Sequence, residues 1–196
     1  MRIAPSLSKK VANKLKAVCR KYLLVRIDRR PLTKDDLEGY VVGLSDTWIL
    51  VHMLDPNMYL NGYAAIRTRD IRRYRMLSDA NHFASRALKK RGLKGVPQPR
   101  VSLQEIQSLL ASAGRKFPLI TIYDEKKDSE VCYIGKIQKL KKTFCVLKEI
   151  TTGAKWNGLR RFRLDRITRV DFGGGYETAL ALVGNVKYSI LNKSFT

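Results

Sequence analysis

At 196 residues the chain has room for one medium domain or two small ones. An apolar fraction of 44% with nine Tyr, six Phe and two Trp excludes a wholly disordered chain, because that much apolar surface can offset the entropy of ordering the backbone. The 39 Lys and Arg against 17 Asp and Glu leave a charge of +22, more than solubility requires, and such an excess fits a polyanionic partner: nucleic acid first, an anionic membrane or an acidic protein otherwise.

A first helix is predicted over Ser8 to Tyr22, where Leu7, Val11, Leu15, Val18 and Tyr22 make an apolar stripe ringed by lysines. Strands follow. Val25 and Ile27 alternate with Arg26, and the runs Gly39 to Gly43 and Thr47 to Val51 read as a hairpin. A fourth strand covers Tyr63 to Arg67 and a short fifth covers Arg72 to Tyr74. Ser78 can cap a helix running through Arg91 to a stop at Gly92, and the Pro-containing tract Lys94 to Pro99 breaks the chain. A further helix is expected from a Ser102–Glu105 capping box to Gly114.

The strand pattern then repeats. Gly39 falls on Gly135, Val41 on Ile137, Thr47 on Thr143, Trp48 on Phe144, Leu54 on Ile150, Ile66 on Phe162 and Ile71 on Ile167, each pair 96 positions apart. Leu24 to Ile27 matches Leu119 to Ile122 after a one-residue adjustment. The second copy has strands over Tyr133 to Ile137, Thr143 to Leu147, Leu159 to Leu164 and Thr168 to Phe172, with a basic turn at Lys139 to Lys142. Beyond it a Gly173-Gly174-Gly175 turn precedes a short helix, Glu177 to Val183, and an alternating tail, Val186 to Leu191, which could pair as an edge strand.

The expected class is α+β: two tandem small five-stranded β-barrels, each preceded by a helix. The expected organisation is residues 1–77 for the first helix and barrel, 78–116 for a helical linker, and 117–196 for the second barrel with a C-terminal helix and strand.

Arg161-Phe-Arg-Leu-Asp-Arg-Ile167 resembles the signature of the WYL domain, a bacterial Sm-like barrel, and Trp48-Ile-Leu50 resembles the triplet that names that family. Ile66-Arg-Thr-Arg-Asp-Ile71 is similar to the Ile-Arg-Gly-x-x-Ile stretch of Sm proteins. The resemblance covers about 50 residues of each copy. It implies Sm-like barrels of bacterial type, in a group thought to sense nucleic acid or nucleotide-like ligands.

Charge clusters where the repeat does: the windows 66–100 and 136–169 each hold eleven basic and two acidic residues. Alternation with inward Ile66 and Phe162 would turn Arg67 and Arg69, and Arg161 and Arg163, outward as paired arginine walls. Arg72, Arg73 and Arg75 extend the first wall, and Lys141, Lys142, Arg160, Arg166 and Arg169 the second. Guanidinium groups so placed can grip phosphates bidentately or stack on bases, while ion pairs with Asp70 and Asp165 are the plainer alternative. Tyr40, Tyr63, Tyr133 and Trp156 are candidate base-stacking residues, whereas Trp48, Phe144, Phe162 and Phe172 read as core. Backbone amides at Gly173, Gly174 and Gly175 could cradle a phosphate.

Cys19, Cys132 and Cys145 form neither a disulfide framework nor a zinc motif, and His52 and His82 have no metal-ligand spacing, so no metal or cofactor is expected. No hydrolase or nucleotide-binding signature is found, and the expected protein is not an enzyme. The cysteine pattern fits a reducing cytoplasm, and with no apolar run of signal-peptide length at the N-terminus or of membrane-span length anywhere, a soluble, unexported protein is expected. The expected function is binding of RNA or single-stranded DNA. The alternatives are an assembly component meeting an acidic protein partner, with oligomerisation through strand edges, or a sensor of a small phosphorylated or oligonucleotide ligand near Gly173.

Overall fold

A computed structural model of the chain describes residues 16–21, 23–77, 82–93 and 96–187. The chain divides into two compact units, Met1–Pro99 and Arg100–Thr196.

In the first unit a helical stretch at residues 16–20 precedes β1 (Leu24–Asp28), β2 (Leu37–Leu44), β3 (Trp48–Leu54), β4 (Leu60–Arg67), a 3-10 turn (Thr68–Asp70), β5 (Arg73–Met76) and α1 (Phe83–Lys90). Its core is Val18 of the helical stretch, Val25, Ile27, Leu37, Val41, Ile49, Val51, Ala64 and Ile66 of the strands, and Ile71 after the 3-10 turn. The predicted start of the first helix at Ser8 and the Ser78 cap lie outside the described residues, but Val18 is packed into the core as its stripe requires.

The second unit contains α2 (Ile106–Lys116), β6 (Ile120–Tyr123), β7 (Cys132–Leu140), β8 (Phe144–Ile150), β9 (Trp156–Arg163), a 3-10 turn (Leu164–Arg166), β10 (Arg169–Phe172) and α3 (Gly175–Val183). Helix α2 begins later and ends later than its sequence signals indicate. Its capping box is Glu105 with Ser108, and Ser102 instead donates to the Ser108 hydroxyl at 3.1 Å. Gly114 does not end it. That residue is buried beside Leu110 and Ala113, so packing outweighs the ~1 kcal/mol helix cost of glycine, and the helix stops at Phe117, held extended ahead of Pro118. The tail read as a strand is not one at Val186 and Lys187, and from 188 onward it lies outside the described residues.

In each unit the five strands form an open antiparallel sheet and not the closed five-stranded barrel expected. The order is β5-β1-β2-β3-β4 in the first unit and β10-β6-β7-β8-β9 in the second. Among the described residues no ladder joins β5 to β4 or β10 to β9. The physical reason is strand length: β5 and β10 have four residues each, ladder with β1 and β6 respectively, and do not close the ring against the eight-residue β4 and β9.

The repeat is nonetheless visible in the backbone. Ladder irregularities fall between Val41 and Gly43 and between Ile137 and Lys139, and again between His52 and Leu54 and between Lys148 and Ile150, all 96 positions apart. Met58 with Gly62, and Ala154 with Gly158, take positive φ at the same offset. Gly39 and Gly135 share one constraint: a Cβ on either would lie 2.2 Å from a carbonyl oxygen of the facing strand, His52 O in one case and Lys148 O in the other. Sequence identity at this pair therefore reflects close backbone approach.

Candidate nucleic-acid interface

The register of β8 with β9 builds one basic face in the second unit. Phe144 lies opposite Arg163, Val146 opposite Arg161, and Lys148 opposite Leu159, while β7 adds Lys136 opposite Lys148 and Lys139 opposite Val146. Directly opposed residues share a face, so Lys136, Lys139, Lys148, Arg161 and Arg163 lie on one side of the sheet. The intervening residues Cys145, Leu147 and Phe162 are buried on the other.

On this face cations are seated on aromatic rings. The Arg161 guanidinium lies 3.7 Å from the Phe144 centroid, and Lys148 Nζ lies 4.5 Å from the Trp156 centroid. Phe144, read from sequence as core, is half-buried beneath Arg161; its counterpart Trp48 is 4% exposed. Trp156 and Leu159 are 39% and 69% exposed. Arg163 pairs with Asp165 at 2.8 Å, whereas Arg161 has no carboxylate partner among the described residues. Lys141 and Lys142 are exposed in the turn from β7 to β8, as expected.

The other predicted cations of this unit are engaged. Arg160 points to the buried side, pairs with Glu149 at 2.8 Å and caps the Tyr133 ring at 4.3 Å. Tyr133 in turn packs on Phe162 with centroids 5.2 Å apart, which leaves it half-buried. Arg166 pairs with Asp124 at 3.2 Å, and Arg169 makes a largely buried pair with Asp171 at 2.6 Å.

In the first unit the expected wall is broken. Arg67 does not face outward: it is 5% exposed, and its Nε donates to Asp70 at 2.6 Å. Every residue of β4 from Gly62 to Arg67 is buried, so alternation there does not separate a wet face from a dry one. Arg69, Arg72 and Arg75 are exposed, while Arg73 donates to Asp28 at 2.7 Å. Arg30, and Arg73 with it, holds the Asp28 carboxyl well below the usual carboxylate range.

Two further stacking candidates, besides Tyr133, are committed to packing. Tyr63 is buried, stacks on His52 with centroids 4.3 Å apart, and donates from its hydroxyl to Pro97 O. Tyr40 packs against the Leu24, Leu77 and Ala84 cluster.

At the glycine turn, Gly173 has φ +71° and faces the Phe117 ring, and Gly174 caps α3, its carbonyl accepting from the Thr178 hydroxyl. Gly175 is the first residue of that helix, and Glu177 puts a carboxylate in its first turn. The adjoining cavity of about 610 Å³ is bordered chiefly by apolar groups, among them Phe117, Pro118, Leu119, Ala181, Leu182 and Val186. Neither the carboxylate nor that lining suits a phosphate.

Sequence reasoning missed Lys136, Lys139, Lys148 and Phe144 as members of the interface. The signal existed in the alternation of Phe144, Val146 and Lys148, but only the cross-strand register shows that Arg161 answers it.

Among the described residues no helix is long and apolar enough to cross a membrane. Comparison with protein-family models, curated proteins and solved structures finds no match. The likeness to Sm and WYL proteins thus stands on the short motifs alone.

Proposed function

We propose that this chain is a non-enzymatic nucleic-acid-binding protein, taking RNA or single-stranded DNA on the β7–β9 face of its second unit. The observation that carries the reading is Arg161: an exposed guanidinium, without a carboxylate partner among the described residues, seated over the Phe144 ring on the face that also holds Lys139 and Lys148. A phosphodiester chain laid across these cations releases counterions, which gives affinity without sequence selection. The first unit contributes exposed Arg69, Arg72 and Arg75 but buries Arg67, so the two copies have diverged and the second carries the main surface. A cytoplasmic setting accords with three unpaired cysteines, Cys19, Cys132 and Cys145.

The test is fluorescence anisotropy with a labelled oligonucleotide across a salt series. Affinity should fall steeply with salt, and the K139S/R161S double variant should lose at least tenfold in affinity and flatten the salt slope by about two ions. Unchanged affinity and slope in a folded double variant would refute the assignment.

A further inference from the structure

Resting on that nucleic-acid reading, we propose that the β8–β9 face is a stacking platform for unpaired bases, with Arg161 on Phe144 and Trp156 by Lys148 as its two stations, so that single strands are preferred over duplex.

Cations alone would serve either form, since both present phosphates. The discriminating feature is the apolar surface set among the cations. Trp156 is 39% exposed and Leu159, between Trp156 and Arg161 on the same strand, is 69% exposed. Against the phosphate rails of a duplex these groups would stay hydrated or face charge, because the base faces are hidden in the helical stack. Against an unpaired strand each finds a flat apolar partner, and the gain in burial is realised.

The stations are also spaced for a chain. Trp156 lies opposite Ile150, six residues along β8 from Phe144, a separation of roughly 20 Å at ~3.3 Å per residue. A splayed strand of several nucleotides spans that length while its phosphates meet Lys148 and Lys139 on the neighbouring strands. At the first station the guanidinium itself is the stacking surface: its centre lies 3.7 Å from the Phe144 centroid and the Arg161 side chain is exposed.

The chain has two tryptophans, and Trp48 is buried at 4% exposure, so intrinsic fluorescence reports on Trp156 against a constant background. The experiment compares 12-nucleotide oligo-dT and oligo-U with a 12-base-pair duplex at one salt concentration. It uses the wild-type chain and the W156A, W156F and R161K variants, each checked for folding by circular dichroism. Expected are quenching by single strands that W156F abolishes, at least tenfold tighter binding of single strand than duplex, and about a tenfold loss of single-strand affinity in W156A. R161K keeps the charge and removes the plane, so it should weaken single-strand binding while preserving the salt slope. W156F, which keeps a ring, should retain most of the affinity that W156A loses. Equal or tighter duplex binding, with W156A and R161K indistinguishable from wild type, would overturn the platform and leave the nucleic-acid reading intact. Binding of neither form would overturn both.

Discussion

The Arg161 guanidinium lies 3.7 Å above the ring of Phe144, its diagonal neighbour across the β8–β9 ladder. The ring limits the rotamers open to a long side chain and so presents the charge in a fixed orientation. Replacing Phe144 with Leu keeps the apolar contact with the sheet but removes the π face. F144L should cost about 1 kcal/mol or less in stability, yet weaken oligonucleotide binding several-fold because Arg161 must be ordered on association. Urea denaturation and anisotropy on the same variant separate the two effects.

The matching arginines Arg67 and Arg163 predict opposite responses to loss of their partners. Arg67 and Asp70 have side chains 6% and 11% exposed, while Arg163 and Asp165 are 74% and 62% exposed. D70A leaves a buried guanidinium without its carboxylate and should destabilise the fold by about 3–5 kcal/mol. D165A breaks a solvated pair, should cost under ~1 kcal/mol, and should slightly tighten oligonucleotide binding by freeing Arg163. Equal midpoints for the two variants in urea would contradict this.

His52 should make the protein sensitive to acid. It is buried against Tyr63, and burial lowers its pKa to about 4 from an unfolded value near ~6.5. A depressed folded value means that stability is fully present above the unfolded pKa and is lost as pH falls through the folded one. Unfolding free energy should therefore decline between about pH 6.5 and 4, by up to roughly 3 kcal/mol from this residue. H52L should flatten that part of the pH profile of thermal unfolding.

Gly173 is required by geometry. A Cβ there would meet Phe117 Cε1 at 2.6 Å, on a backbone with φ +71°. G173A should lower stability by about 1–3 kcal/mol while leaving oligonucleotide affinity within twofold. A melting curve and an anisotropy titration check the two halves.

The duplicated strand pattern was legible in the chain because backbone constraints recur with the residues that satisfy them: the close approaches at Gly39 and Gly135, and the inward pairs Val41 with Ile137 and Ile66 with Phe162. Strand period and charge clustering are local properties, and local spacing reports them. The openness of each unit's sheet, the burial of Arg67 and the exposure of Arg161 were decided by tertiary structure. Alternation says that Arg67 and Ile66 point to opposite sides, but not whether the second side meets water, and in β4 both sides are covered. The partners of Arg161 come from strands up to 25 residues earlier in the chain, so Lys136, Lys139, Phe144 and Lys148 became one surface only when ladder hydrogen bonds fixed which residues stand opposite one another.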